Sequence, residues 1–193
     1  MQKDIPQLYA KDKMAWYEWL EQNYDKQKNV WLIIYKKNSG TPSITYNEAV
    51  DMALCFGWID SKPNKRDENS FLQFFSQRNP KSNWSKVNKL KVERLIEDGL
   101  MAKAGYKMIE IAKANGTWNA LDEVDNLVIP PDMETLFQKN LQAKTNFEAF
   151  PPSVKRGILE WILNAKQPDT RKKRIEETVN LATENIRANQ WKK

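Results

Sequence analysis

The sequence predicts an α+β protein: a small, mostly antiparallel sheet of at least three strands packed with helices, followed by an all-helical C-terminal region. Three observations predict it. Residues 29–37 (NVWLIIYKK) carry β-branched and aromatic residues on both faces, as suits a strand. Residues 58–66 and 70–78 are two more strand-like runs joined by turn residues. From residue 132 onward, apolar residues recur at spacings of three and four with no further strand-like run.

Taken in order, residues 1–10 read as a loose arm interrupted by Pro6, and the terminal Lys192-Lys193 as frayed. Asp12 is placed to cap a helix over about 12–25, with Met14, Tyr17, Leu20 and Tyr24 on its buried face and Trp16 and Trp19 widening the stripe. The β-branched and aromatic residues of the run 29–37 fall on both faces, which suits a central strand covered on both sides. Thr45 and Glu48 form a capping box ahead of a helix that ends at Gly57. Cys55 falls in its last turn as a buried, inert thiol.

Next comes the hairpin. Leu72 and Phe74 point one way from its second strand, Phe71 and Phe75 the other. Pro63 confines the first strand to an edge or a bulge, and Asn69 is the turn residue most tolerant of a left-handed conformation. A helix capped by Ser82 or Ser85 carries Trp84, Val87, Leu90, Leu95 and Ile96 inward and ends at Gly99. A second helix ends at Gly116. The domain reading is therefore an α+β domain over 1–116, a linker over 117–131 and a helical region over 132–193, in which Pro168 stops one helix and Asp169 caps the last, with Ile175, Val179, Ala182 and Ile186 on its buried face.

Composition excludes much chemistry. The chain has no histidine, so Ser–His and Cys–His catalysis, histidine metal sites and histidine switches are out. A single cysteine permits neither an internal disulfide nor a Cys/His zinc site, so no metal or other cofactor is expected. No apolar run reaches the roughly 18 residues of a membrane span, and residues 1–13 lack the apolar core of a signal peptide. A cytoplasmic protein without membrane insertion is expected. The formal charge of +6 favours an anionic partner, either a small molecule, a nucleic acid or an acidic protein.

Between residues 61 and 94 nine bases face three acids, with Phe71, Phe74, Phe75 and Trp84 interleaved. Bases with aromatics on a sheet suit a phosphate-bearing ligand with a flat ring. The loop 78–85 delivers Arg78, Lys81 and two serines to a helix start, where free N–H groups favour an anion. The candidate ligand face is Trp58, Asp60, Lys62, Arg78, Lys81, Trp84, Ser85 and Asn88, and a secondary basic cluster is Lys166, Arg171 and Arg174, flanked by Lys172 and Lys173. Asp60 reads as the ion-pair partner of Lys62 or Arg78 and not as half of a catalytic carboxylate pair. No catalytic residue and no reaction can be read, so a non-enzymatic binding protein is expected. The alternatives are a nucleic-acid binder using the basic-aromatic face and an enzyme reacting through lysine, aspartate or Cys55.

Several motifs carry a resemblance. They are the run Ala53-Leu54-Cys55-Phe56-Gly57-Trp58-Ile59-Asp60 and the pattern of Arg78, Lys81, Ser82, Trp84, Ser85 and Asn88. They continue in Gly99, Met101, Gly105 and residues 112–118, and end in Trp161, Ile162, Ala165, Lys166, Pro168, Thr170, Arg171, Arg174 and Ile175. Together they resemble the YdeI/OmpD-associated (OmdA-like) family of bacterial proteins. The resemblance implies a role in protection against bacteriocins or antimicrobial peptides and in stress resistance, and supplies no catalytic residue. A basic chain repels a cationic peptide, so protection is expected to be indirect, through a partner, an anionic ligand or a nucleic acid.

Overall fold

The computed structural model describes residues 5–190 and divides the chain into two compact units, Met1–Ala120 and Leu121–Lys193. Lys192 and Lys193 lie outside the described residues.

The first unit is built on a four-stranded mixed sheet in the order β1-β2-β4-β3. Its strands are β1 (Gln7–Tyr9), β2 (Asn29–Tyr35), β3 (Trp58–Lys65) and β4 (Ser70–Gln77). The supposed N-terminal arm is thus partly a strand: β1 runs parallel to β2, Leu8 beside Leu32. Pro6 does not prevent this, because its carbonyl accepts the Trp31 N–H (2.9 Å) at the start of the pairing. The other two pairings are antiparallel, and the β3–β4 register shifts between Asp60 and Pro63, the bulge that Pro63 forecasts. The connecting turn is organised by Asp67, not by a left-handed Asn69. The Asp67 carboxylate accepts the N–H groups of Asn69 (2.8 Å) and Ser70 (2.7 Å).

Four helices accompany the sheet: α1 (Lys13–Asn23), α2 (Tyr46–Cys55), α3 (Lys86–Glu97) and α4 (Lys103–Ala114). Asp12 caps α1, accepting from Ala15 N, and Thr45 and Glu48 make the reciprocal capping box of α2. The buried residues of α1 are Trp16 and Leu20, whereas Met14 is 52% exposed. On α3 the inward residues are Val92 and Leu95. Val87, Leu90 and Ile96 face out, because Trp84 is buried ahead of the helix and sets its phase.

The helices cover one face of the sheet only. Along β2 burial alternates, with Val30, Leu32 and Ile34 in the core and the residues between them half-buried. The expectation of a doubly covered strand fails because β2 is central in order but not sandwiched between layers. The core of this unit gathers Trp16, Leu20, Phe75, Trp58 and Trp84 around that face. Each fully buried large side chain contributes about 1.5–3 kcal/mol.

The second unit is all helical: α5 (Asp122–Asp125), α6 (Pro131–Gln138), α7 (Leu141–Ala149), α8 (Pro152–Leu163) and α9 (Pro168–Thr183). Its core holds Met133, Phe137, Phe147, Ile158, Ile162 and Ile175, and within 117–131 Leu121 and Val124 belong to it too. Pro168 opens α9 instead of stopping a helix, and Gln167, not Asp169, is its N-cap. Ile186 lies beyond α9 and is 52% exposed.

Two glycines make this architecture testable. A Cβ on Gly105 would stand 2.3 Å from the Cys55 carbonyl oxygen, whereas one on Gly157 in α8 would meet nothing within 4 Å. Gly105→Ala should lower stability by about 1–3 kcal/mol and Gly157→Ala raise it by about 0.5–1 kcal/mol, read from denaturant midpoints.

Candidate functional site

The corner between α2 and β3 positions the site. After Cys55 the chain turns through Gly57, whose φ of 71° is left-handed, and enters β3 at Trp58. The Cys55 carbonyl accepts the Ala102 N–H (3.1 Å), and the Gly57 carbonyl accepts the Arg78 N–H (3.0 Å). This ties the start of α4 and the end of β4 to one corner.

Trp58 is fully buried, and its indole N–H donates to the Tyr24 carbonyl (3.1 Å). Arg78 is only 5% exposed. Its guanidinium lies 3.8 Å from the centroid of the Trp84 ring and donates through one terminal nitrogen to the Asn83 carbonyl. Its Nε is buried without a hydrogen-bond partner. Burial pulls the Arg78 pKa down to about 10, with the Asp60 charge opposing from nearby. At neutral pH the side chain is still a cation. Trp84, 1% exposed, also packs at a tilt against Trp118 (5.0 Å between centroids, 47°).

Trp58 and Arg78 line a hollow of about 340 Å³, shared with Tyr24, Phe56, Lys107 and Met108. Gln77 and Asp25 also border it, and the Gln77 amide is occupied in donating to the carbonyls of Tyr24 (2.9 Å) and Gln27 (3.0 Å). The far wall comes from α4 and the end of α1, not from the helix that starts near Trp84. Sequence reasoning missed Lys107 and Met108. The only hint of them was Gly105, a glycine in mid-helix, which marks a close approach.

The other candidate residues do not gather there. Asp60 accepts from the Tyr46 hydroxyl (2.6 Å) instead of pairing with Lys62 or Arg78. Burial and that contact push the Tyr46 pKa up to about 12. Ser85 caps α3 by accepting from Asn88 N (3.3 Å), so Ser85 and Asn88 serve the helix start. Lys62 and Lys81 are exposed, on β3 and in the loop. Much of the positive strip is also answered internally, since Asp51 pairs with Lys91 (2.5 Å) and with Arg94.

In the second unit Arg171 grips the Asp132 carboxylate through two nitrogens (2.7 and 2.9 Å), which holds the Asp132 pKa below the usual carboxylate value. Arg174 stacks over Trp161 (4.8 Å) and donates to its carbonyl. Both arginines of the secondary cluster therefore join α9 to its neighbours, while Lys166 is exposed. No group of three or more cysteines and carboxylates that could hold a metal ion occurs among the described residues. No described helix is long and apolar enough to cross a membrane.

Residues 8–108 match the family model described as a domain of unknown function (DUF8412). Residues 126–185 match the model described as bacteriocin-protection, YdeI or OmpD-associated (OmdA). The resemblance to the OmdA-like family therefore holds and is carried by the second unit, while the motifs around Trp58 and Arg78 fall within the other model. No curated protein and no solved structure matches the chain.

Cys55 is 0% exposed and its thiol donates to the Asp51 carbonyl (3.3 Å). Burial, then the Asp51 charge, raises its pKa from 9.0 to about 12. Between those values the folded state keeps a proton that the unfolded state has lost. The stabilising contribution is thus full below about pH 9 and disappears as pH rises toward about 12. Cys55→Ala should lose less stability than the parent between those limits in denaturant titrations, and native Cys55 should resist alkylation until the chain unfolds.

Proposed function

The chain belongs to the family defined by that domain of unknown function, and from that premise we propose that its first unit binds a small anionic molecule in the hollow beside Arg78. One observation carries the reading: Arg78, a residue only 5% exposed whose guanidinium Nε has no partner, lines an open hollow. Taking a cation out of water costs several kcal/mol unless an opposite charge answers it. Elsewhere in the fold the part-buried Lys91 and Arg156 meet carboxylates. At Arg78 the Trp84 ring, one carbonyl and the charge of Asp60, which makes no direct ion pair with it, answer only in part, the ring by about 2 kcal/mol. A carboxylate or phosphate entering the hollow supplies the rest.

The ligand's body is small and largely apolar. A volume of about 340 Å³ is at the lower end for ligand pockets, and Phe56, Trp58 and Met108 offer hydrocarbon and ring surface. Exposed Lys107 adds a second positive group at the border. The protein acts by binding and not by catalysis. Any part in bacteriocin protection runs through this ligand and not through capture of a cationic peptide, which a chain of net charge +6 repels.

The test is calorimetric titration and thermal shift with inorganic phosphate, citrate and benzoate against the parent, Arg78→Met and Lys107→Gln. The parent should be stabilised by at least one of these anions. Arg78→Met, which keeps the volume and removes the charge, should weaken that binding at least about 30-fold. Without ligand it should melt at or above the parent temperature, because replacing a poorly compensated buried charge by an apolar side chain is often neutral or stabilising. Lys107→Gln should weaken binding a few-fold. Binding that survives Arg78→Met, or no response of the parent to any of the three, overturns the proposal.

A further inference from the structure

We infer that the ligand of the hollow beside Arg78 is an aromatic monocarboxylate, and that Asp25 sets this preference by rejecting ligands of higher negative charge. The inference rests on the reading that the hollow binds an anion, and adds the class of anion and a selectivity residue. Hydrogen-bond donors are sparse there. The backbone N–H groups of the corner are occupied: Phe56 donates to the Ala53 carbonyl (3.1 Å), Gly57 to the Leu54 carbonyl (3.1 Å) and Arg78 to the Gly57 carbonyl (3.0 Å). Pro80 has no N–H to offer, and the Gln77 amide is held by the carbonyls of Tyr24 and Gln27. The charged donors at the border are the guanidinium of Arg78, whose Nε is buried without an acceptor, and the exposed ammonium of Lys107. A carboxylate has two oxygens to satisfy and a phosphate group three, so this set suits the carboxylate.

Charge points the same way. Arg78 and Lys107 are the cations among the lining residues, and Asp25 is the anion. The Asp60 carboxylate, near enough to oppose the fall in the Arg78 pKa, is a second negative charge close by. A single negative charge answers Arg78 with the least repulsion from these carboxylates. Each further charge on the ligand meets them again, since the repulsion grows in proportion to the ligand's charge. Asp25 is exposed and borders the hollow, so it acts on the ligand and not on the core. The ring follows from the apolar lining. Tyr24 lies 5.7 Å from Phe56 at 34°, and Met108 on α4 is half-buried at the same hollow. Rings gain from offset or edge contacts with rings, and a thioether sulfur sits favourably at a ring edge. A space of about 340 Å³ suits one ring with a short acid arm.

The experiment is calorimetric titration of the full chain at about pH 8 with benzoate, cyclohexanecarboxylate, acetate and phenyl phosphate, using the parent, Asp25→Asn and Arg78→Met. At that pH phenyl phosphate is a dianion, its second pKa being about 6. Arg78, with a pKa of about 10, is still a cation. Benzoate should bind the parent more tightly than phenyl phosphate, at least about ten-fold more tightly than acetate and about three-fold more tightly than cyclohexanecarboxylate. Asp25→Asn, at an exposed position, should melt like the parent and narrow the gap between benzoate and phenyl phosphate by about three-fold. On a logarithmic scale, removing one negative charge helps a dianion twice as much as a monoanion. A merely structural role for Asp25 would not move that ratio at a constant melting temperature. If Asp25→Asn fails to fold, Asp25→Ser takes its place, and the ranking of ligands is read on the parent in any case. Phenyl phosphate, acetate or cyclohexanecarboxylate binding as tightly as benzoate overturns the inference, and so does a ratio unchanged by the Asp25 variant. If Arg78→Met still weakens that binding, the hollow stands and only the ligand class falls. No binding of any of the four to the parent, or binding indifferent to Arg78→Met, overturns the reading of the hollow and this inference together.

Discussion

The first unit depends on one close approach: the start of α4 lies against the end of α2 with no side chain between them. The last carbonyls of a helix have no intrahelical donor and need partners from elsewhere. The Cys55 carbonyl finds one in the Ala102 N–H, and Gly105 lets the next turn of α4 pass over the same oxygen. With α4 in that position the chain after Cys55 has little freedom. A Cβ on Gly57 would be 3.2 Å from the Met108 Cβ, on top of its left-handed φ. The turn at Gly57 then sets where β3 begins, and its carbonyl receives the backbone of Arg78. Two glycines some fifty residues apart in the chain (57 and 105) thus decide where an arginine side chain ends up.

That arginine is the electrostatic exception of the unit. A guanidinium keeps its charge under almost any environment, so burial acts on its energy more than on its state. The pKa of about 10 records the penalty, and the penalty is retained at neutral pH because the side chain stays protonated there. Trp84 is what makes the position tolerable, since an indole face is the best aromatic partner for a cation. Trp84 cannot be a ligand-stacking ring as well. It is 1% exposed, between Arg78 on one side and Trp118 on another. Of the aromatic and basic residues that stand together in the sequence, one pair thus becomes a core contact and its partner-seeking edge is the Nε of Arg78.

The parts of this fold written in short-range patterns were legible. Asp12 and the Thr45–Glu48 box mark helix starts, Pro63 marks a bulged edge, and the alternation of Phe71 to Phe75 separates two faces. What was not legible depended on partners distant in the chain. Three residues after Pro6 form a strand only because β2 offers an edge to them. In β2 every residue from Val30 to Tyr35 is apolar, so composition could not reveal that one face is covered and the other open. Val87 and Leu90 satisfied a helical stripe on spacing alone, but Trp84, anchored to Thr117 by its backbone N–H (3.2 Å), rotates α3 so that Val92 and Leu95 face the core. For the site, residue type singled out Trp58 and Arg78. The wall opposite them, on α4, follows from the approach at Gly105, which pairwise spacing does not encode.

Neither margin of the sheet is well suited to receive another strand. A strand edge is the usual route by which another chain adds to a sheet. Here β3 is the outer strand beside β4, and it is poorly suited to that use. Pro63 lacks an N–H, the bulge between Asp60 and Pro63 breaks the register, and Lys62 and Lys65 put charge along it. At the other end β1 is three residues long, too short for an extended ladder. The backbone is therefore protected at both margins. A partner that recognises main-chain groups gains little from such a sheet.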